Sequence, residues 1–174
     1  MASAWQSPDL LALALLVFVT MQRLFELIVA RQNTARLLAV GAVEYAPQHY
    51  LLIVVLHTAW LLGLWVLAVG SRPQLGLLVI YALIQGLRLW TLATLGKRWT
   101  TRIIVIPGER LVAGGPYRFL RHPNYCVVVA EIAILPLCFG MIGYAIVFSV
   151  LNALVLMIRI RAENAALAQA QRPA

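Results

Sequence analysis

Runs of about twenty apolar residues are the feature that most constrains how this chain can fold. A helix needs roughly 20 such residues to cross the hydrocarbon core of a bilayer, which is about 30 Å thick. Five runs approach this length, and in chain order they are 9–30, 50–69, 75–95, 125–139 and 140–158. The last two meet in a short Phe-Gly-Met-Ile-Gly segment, which predicts a tight antiparallel hairpin. The runs predict an all-α integral membrane protein with five transmembrane helices.

The distribution of positive charge predicts the orientation of these helices. Cytoplasmic loops of membrane proteins are enriched in Lys and Arg. Eleven such residues follow the first, third and fifth runs, whereas Arg72 alone lies between the second and third. This predicts an N-terminus outside and a C-terminus in the cytoplasm. The formal net charge of +8 is then a consequence of topology, and we expect no nucleic-acid partner.

Residues 1–174 contain no repeat or linker, so we interpret them as one membrane domain. It consists of a three-helix part over 9–95, a cytoplasmic loop over 96–124, and a hairpin with a C-terminal helix extension over 125–167. The loop is far longer than most helix connections and is dense in Gly, Arg and aromatic residues. Its IIVIPGERLV stretch predicts two extended segments around a Pro-Gly turn. A loop of this length and composition indicates a functional site.

The start of the fourth helix predicts an anion-binding site. Pro123 suits the first helical position because the amide it lacks would be unpaired there. The amides of residues 124–126 would then point unpaired toward the cytoplasm, and such a helix end attracts a carboxylate or phosphate. Arg121 and His122 directly precede it. Arginines on this face also hold lipid phosphates and enforce topology, so the residues leave both interpretations open.

Arg159 and Glu163 form a second polar feature, on the C-terminal helix. They are four residues apart and therefore share one helix face. The predicted hairpin returns them to the membrane face where His122 and Tyr125 lie. They either form a helix-surface ion pair, or Glu163 lies opposite the anion site in an arrangement that suits a zwitterion such as an amino acid headgroup. The spacing leaves both possibilities open.

Ionisable residues inside or beside the predicted helices need partners or functions. Glu131 either lines a substrate cavity or pairs with Arg88 or Arg23, and we favour pairing because both arginines need partners too. Glu44 and His49, near the cytoplasmic face, are secondary candidates for substrate contact. The chain has three histidines and no carboxylate or cysteine cluster at ligand spacing, so we expect no metal site.

The motif GPYRFLRHPNY, followed by a two-helix hairpin and R-x-x-x-E, resembles the isoprenylcysteine carboxyl methyltransferase family over about residues 96–167. Members of that family are membrane methyltransferases that use S-adenosylmethionine, and their site lies under a cytoplasmic cap on a helical bundle. The stretches GAVEYAPQHY and LGKRWTTRIIVIPG are similar to a bacterial branch that methylates hydroxyls of long-chain pyrones or resorcinols. The resemblance implies a bacterial plasma (inner) membrane protein with its active site on the cytoplasmic face.

The resemblance also implies residue roles. Arg159 would face the nucleophilic oxygen of the substrate, and Glu163 would meet the ammonium of the cofactor. The other residues expected to bind the cofactor, with Arg121 added from the anion site, are Leu111, Val112, Tyr117, Arg121, His122, Pro123, Asn124 and Tyr125. Two positions depart from the family pattern: Val127 replaces a glycine, and Asn164 replaces the second of two glutamates.

The expected function is therefore an S-adenosylmethionine-dependent O-methyltransferase. Its acceptor would be a carboxylate or acidic hydroxyl of a lipophilic substrate, either prenylcysteine-like or a long-chain pyrone or resorcinol, and its other partners would be membrane lipids. One alternative is a non-enzymatic membrane module whose basic loop binds anionic lipid or a partner protein. Another is a relative of the membrane sterol reductases, for which the chain is short.

Overall fold

The computed structural model describes residues 9–109 and 111–170. These residues form five α-helices: α1 (Leu10–Ala39), α2 (Gln48–Leu67), α3 (Leu75–Leu95), α4 (Pro123–Cys138) and α5 (Ile142–Ala170). The helices α1, α2, α3 and α5 are long and apolar enough to cross a membrane, in agreement with the predicted all-α membrane class. The 16 residues of α4 extend only about 24 Å, less than the hydrocarbon core. A fifth span therefore stays a prediction.

The first and last helices are longer than the apolar runs that predicted them. Helix α1 continues to Ala39 instead of ending at residue 30, and α5 continues to Ala170 instead of residue 158. The runs end where charged residues begin, but Arg, Gln and Ala favour helical backbone outside the membrane as well. At its start, α1 is capped by Asp9, whose carboxylate accepts two backbone amides at 3.0 and 3.1 Å.

The helices run between two opposite ends of the bundle. At the far end, the Asp9 amide donates to the Val69 carbonyl over 3.1 Å, and the Gln74 amide donates to the Cys138 carbonyl over 2.7 Å. The turn between α4 and α5 closes at Gly140, whose φ is +71°, so the predicted hairpin is confirmed. The other end, which we call the loop end, carries residues 40–47, 96–109 and 111–122 and the end of α5. Which side of the membrane it faces stays a prediction.

A two-stranded antiparallel sheet at the loop end is absent from the all-α prediction. Strand β1 (Val43–Tyr45) lies between α1 and α2, and strand β2 (Ile103–Val105) lies in the long loop, with Val43 opposite Val105. The extended segment predicted at IIV is thus confirmed. The second predicted segment, after the Pro-Gly turn, is not a strand over residues 109 and 111–113. The partner of β2 comes from a distant connection, which local pattern cannot indicate.

The buried apolar core occupies the far half of the bundle. Its largest fully buried members are Leu16, Trp60, Leu64, Ile132 and Leu135, from α1, α2 and α4. At the border of this core, the indole nitrogen of Trp65 donates to the Thr20 hydroxyl over 3.0 Å and joins α2 to α1.

Candidate functional site

The first turn of α4 lies at the loop end. The helix begins at Pro123, as predicted, and this proline is fully buried. The His122 carbonyl accepts the amides of both Tyr125, at 3.1 Å, and Cys126, at 3.3 Å. The prediction of three unpaired amides is therefore wrong, because the N-cap carbonyl lies within reach of the amides that follow it. Of the amides in this turn, that of Asn124 has no partner among the described residues.

Side chains from α4 and α5 form a hydrogen-bonded chain beside this turn. The Nε of Arg159 donates to the Tyr125 hydroxyl over 2.9 Å, and that hydroxyl donates to the Glu163 carboxylate. The Nη2 of Arg159 donates to the Thr101 carbonyl of the long loop over 2.7 Å. Within the described structure, Arg159 and Glu163 thus share Tyr125 rather than forming the helix-surface ion pair.

The His122 side chain lies beside these hydrogen-bonded residues and contacts both Tyr125 and Glu163. Its imidazole stacks on the Tyr125 ring, with 5.3 Å between centroids and 29° between planes. Its Nδ1 lies 4.0 Å from the nearer oxygen of Glu163. The Tyr125 phenol thus lies against one oxygen of the carboxylate and the His122 imidazole lies near the other, and all three side chains border a cavity.

That cavity, which we call the polar cavity, has a volume of about 240 Å³. Its walls come from the long loop, β2, the start of α4 and the end of α5. They include nine of the predicted site residues: Leu111, Val112, Tyr117, Arg121, His122, Asn124, Tyr125, Arg159 and Glu163. The cavity thus combines cationic, anionic and apolar walls. Such a set suits a ligand that carries both charges and an apolar or aromatic part.

Tyr117 contributes a neutral phenol to the polar cavity. Burial, and secondarily the negative charge of Glu163, raise the pKa of the Tyr117 phenol to about 12. A phenol with this pKa stays protonated near neutral pH, so it can donate or accept a hydrogen bond but carries no charge. A protonated Tyr117 phenol is suited to a hydrogen bond with a ligand and not to the role of a base near neutral pH.

A second cavity of about 340 Å³ lies between α1 and α2, with α4 and α5 behind it, and we call it the apolar cavity. Its lining is mostly aliphatic and includes Leu24, Leu27, Ile53, Val54 and Leu156. Leu24 and Leu27 are also exposed on the surface of the bundle. The cavity therefore opens sideways, toward the position that lipid occupies around a membrane protein.

The two cavities share one wall. It is made of Trp99, Thr100, Asn124, Tyr125 and Arg159, which line both of them. Arg159 is 8% exposed, and its guanidinium is held by Tyr125 and by the backbone of the loop. A ligand in the polar cavity and one in the apolar cavity would meet at this fixed cation.

Glu44 and His49, the secondary candidates for substrate contact, lie outside both cavities. Both Glu44 carboxylate oxygens accept from Nη1 of Arg102, at 2.8 and 3.0 Å. The same guanidinium lies over the Tyr50 ring, 4.8 Å from its centroid. Since Arg102 lines the polar cavity, Glu44 positions a wall residue. The His49 Nδ1 is buried and has no partner among the described residues.

Glu131 is 1% exposed and belongs to a buried ion network, so the favoured prediction of pairing is confirmed. Its Oε2 accepts from Arg88 at 2.5 Å and from Arg23 at 2.6 Å. Gln85 donates to its other oxygen over 2.7 Å. Arg88 also binds Glu26 with two of its nitrogens. The network joins α1, α3 and α4 and balances two positive charges against two negative ones.

Several wall residues were not predicted. Trp99 and Thr100 form part of the shared wall, and Arg98 and Arg102 line the polar cavity, but the sequence identified these arginines only as topology signals. The loop that carries them is anchored by Asn33, which is 3% exposed. An asparagine within a long helix beside a membrane segment is the signal that could have indicated this anchor.

Asn33→Ala is expected to loosen the long loop. The Asn33 amide donates to the carbonyls of Trp99, at 2.9 Å, and Gly96, at 3.2 Å. Its removal leaves the Trp99 carbonyl without this partner and the Gly96 carbonyl with only the Trp99 amide, and it should cost about 1–3 kcal/mol of stability. Hydrogen exchange over residues 96–100 should accelerate, whereas the exposed neighbour Gln32→Ala should change nothing. Unchanged exchange in the Asn33 variant would contradict the anchoring role.

Comparison with known proteins gives one family match and two relatives. The model of the isoprenylcysteine carboxyl methyltransferase (ICMT) family matches residues 75–169. The uncharacterised protein YpbQ of Bacillus subtilis (strain 168) is 39% identical over 158 residues, which cover 88% of this chain and 94% of that protein. An uncharacterised protein of Haemophilus influenzae (strain ATCC 51907 / DSM 11121 / KW20 / Rd) is 25% identical over 152 residues, which cover 83% of this chain and 88% of that protein. No solved structure gives a significant match.

Proposed function

Because the chain belongs to the isoprenylcysteine carboxyl methyltransferase family, we propose that it transfers a methyl group from S-adenosylmethionine to an oxygen of a lipophilic substrate. Family membership and the long apolar helices make it a multi-pass membrane methyltransferase. The observation that carries the finer proposal is the wall shared by the polar and apolar cavities, with Arg159 in it. A transfer reaction between a polar donor and an apolar acceptor requires two such sites in contact.

The donor set of the polar cavity fits S-adenosylmethionine. The Glu163 carboxylate would bind the ammonium of the cofactor. The Arg121 guanidinium and the backbone amide of Asn124 would bind the carboxylate of the cofactor. The aliphatic side chains of Leu111 and Val112 suit an uncharged ring system. Tyr117, His122 and Tyr125 complete the wall, while Pro123 is buried beneath it and starts the helix.

The chain's own residues have three tasks. When bound, the donor supplies a methyl group already activated by its sulfonium, so no covalent enzyme intermediate is required. Arg159, held by Tyr125 and the Thr101 carbonyl, would orient an anionic acceptor oxygen and stabilise its charge. The aliphatic walls of the apolar cavity would exclude water from that oxygen. A carboxylate or acidic enol is ionised near neutral pH and needs no general base, whereas the phenol of a resorcinol would need one.

The acceptor would enter from the membrane. The apolar cavity opens between α1 and α2 where Leu24 and Leu27 are exposed, and a prenyl or alkyl chain can reach it there without crossing water. The acceptor group would be the carboxylate of a prenylcysteine-like compound or the acidic hydroxyl of a long-chain pyrone or resorcinol. The positive charge at the loop end supports a site on the cytoplasmic face of a bacterial plasma membrane.

Glu163→Gln is expected to weaken binding of S-adenosylhomocysteine by roughly 30-fold or more, because a charged pair with the ligand ammonium is worth about 2 kcal/mol or more when one partner is lost. Calorimetric titration of the protein in nanodiscs measures this directly. The neighbouring variant Asn164→Ala, on the exposed side of α5, provides the control and should bind like the wild type.

Two results would count against the proposal. If the wild type shows no binding in nanodiscs, the polar cavity does not take the cofactor. If Glu163→Gln binds as tightly as the wild type, the ammonium is not held by this carboxylate. Strong binding of anionic-lipid vesicles without binding of S-adenosylhomocysteine would instead favour the non-enzymatic lipid-binding module.

A further inference from the structure

The inner part of the apolar cavity is not apolar. Four membrane-embedded ionisable side chains line it together with the aliphatic residues: Glu26 and Arg88, which bind each other, and Arg23 of α1 and His57 of α2. Arg23 and His57 line the same cavity of about 340 Å³, so the two lie in one neighbourhood. The role proposed above for the cavity, to hold a hydrocarbon chain, explains the aliphatic wall but not these two groups.

The Arg23 guanidinium has N–H groups without a hydrogen-bond partner among the described residues. Its Nη2 donates to Glu131 over 2.6 Å and its Nη1 donates to Glu26 over 3.4 Å. A guanidinium carries five N–H groups, so three of them have no partner among the described residues. The ion network holds this side chain in place, and 18% of it stays exposed. Arg23 is therefore a fixed hydrogen-bond donor at the wall of the cavity.

His57 supplies the complementary acceptor. Its Nδ1 lies 2.9 Å from the Ile53 carbonyl of its own helix. A carbonyl only accepts, so Nδ1 carries the ring proton and Nε2 of the neutral imidazole is an acceptor. This Nε2 has no hydrogen-bond partner among the described residues, and it is not fully buried. It is thus accessible to a molecule in the cavity.

A fixed donor beside an accessible acceptor fits a hydroxyl group best. A hydroxyl can accept from Arg23 and donate to His57 at the same time, whereas a carbonyl or carboxylate would leave the imidazole unpaired and a hydrocarbon would leave both groups unpaired. Unpaired polar groups in an apolar site are costly. Intramembrane ionisable residues commonly mark substrate pathways for this reason.

The position of Arg23 and His57 along the cavity indicates how far apart the two oxygens of the ligand would be. Tyr50 lines the loop end of the apolar cavity, and its hydroxyl lies 3.5 Å from that of Thr101, whose carbonyl holds Arg159. His57 is seven residues further along α2, which corresponds to about 10 Å of helix. We propose that the acceptor substrate carries a second, hydroxyl-type oxygen on its lipophilic part, on the order of 10 Å from the methylated oxygen, bound between Arg23 and His57. This inference rests on the proposed function.

Matched fatty-acid probes test the proposal. Octadecanoate and 10-hydroxyoctadecanoate differ only by a hydroxyl nine bonds from the carboxyl carbon, roughly 11 Å away in an extended chain. Titrations use the full-length protein with saturating S-adenosylhomocysteine. We expect the hydroxylated probe to bind the wild type about tenfold tighter or more, as hydrogen bonds to charged groups allow.

Variants of α2 assign the effect to His57. His57→Phe should bring the affinity ratio of the two probes near one, and His57→Gln, which keeps an acceptor, should restore part of it. His49→Phe, the same substitution outside both cavities, should leave the ratio unchanged. Partitioning into detergent differs between the two probes but is the same for every variant, so it cancels when the affinity ratios of the variants are compared with that of the wild type.

Three outcomes would overturn the hydroxyl subsite. They are a wild-type ratio near one, a ratio that survives His57→Phe, and failure of both probes to bind while S-adenosylhomocysteine binds. Each leaves the proposed methyltransferase function standing. Failure of S-adenosylhomocysteine to bind the wild type would overturn the proposed function itself, and this inference with it.

Discussion

Arg159→Ala is expected to lower the rate of methyl transfer by about 10²–10³, the usual effect of removing one preorganised donor to a reacting oxygen. The guanidinium lies in the wall between the two cavities and is fixed by Tyr125 and the Thr101 carbonyl. Its loss should reduce kcat far more than it reduces affinity for S-adenosylhomocysteine, because the cofactor ammonium is assigned to Glu163. Single-turnover transfer of a radiolabelled methyl group to a prenylcysteine or long-chain resorcinol acceptor measures the rate.

Two control variants sharpen this prediction. Arg159→Lys keeps the charge but loses the planar fork that binds the phenol and the carbonyl together, so it should recover only part of the rate. Arg161→Ala removes a neighbouring arginine that is exposed on the other side of α5, and it should transfer methyl groups like the wild type. Equal rates for Arg159→Ala and Arg161→Ala would refute the assignment.

Glu131→Leu is expected to destabilise the folded protein by about 3–5 kcal/mol, the cost typical of breaking a buried ion pair from one side. Its carboxylate receives hydrogen bonds from Arg88, Arg23 and Gln85 in the middle of the bundle. Without it, two buried guanidinium groups share the single carboxylate of Glu26. Thermal unfolding in detergent, followed by circular dichroism, should show a clearly lower midpoint than the wild type.

A second substitution separates charge imbalance from lost packing. Removing Arg23 as well, in Glu131→Leu with Arg23→Leu, restores equal numbers of positive and negative charges, so it should recover part of the stability. Glu109→Gln breaks the half-exposed pair with Arg98 and should cost no more than about 1 kcal/mol. A Glu131→Leu variant that unfolds like the Glu109 variant would be inconsistent with a stabilising role for the network.

The candidate site was partly predictable because its motif residues are close together in sequence. Residues 117–125 form one continuous segment, and the R-x-x-x-E spacing puts Arg159 and Glu163 on one helix face. What joins the two segments is Tyr125, which binds both side chains at once. The spacing in sequence contains no information about that hydroxyl, because it depends on how α4 packs against α5.

The sequence by itself determined the elements that depend on local physics. Apolar runs of sufficient length become helices in a membrane because unpaired backbone groups are too costly in hydrocarbon. The glycine-containing turn after 125–139 produces the α4–α5 hairpin, and Pro123 starts α4 because it lacks an amide. Each of these outcomes depends on residues within about one helix length.

Only the tertiary structure decided what lies between these elements. It paired β1 with β2, joined Glu131 to two arginines from other helices, and brought Trp99 and Thr100 to the wall of both cavities. It also brought the donor Arg23 to the same cavity wall as the acceptor His57. Such contacts link residues far apart in the chain, and their selection depends on the burial and charge balance of the whole bundle. No local pattern contains that information.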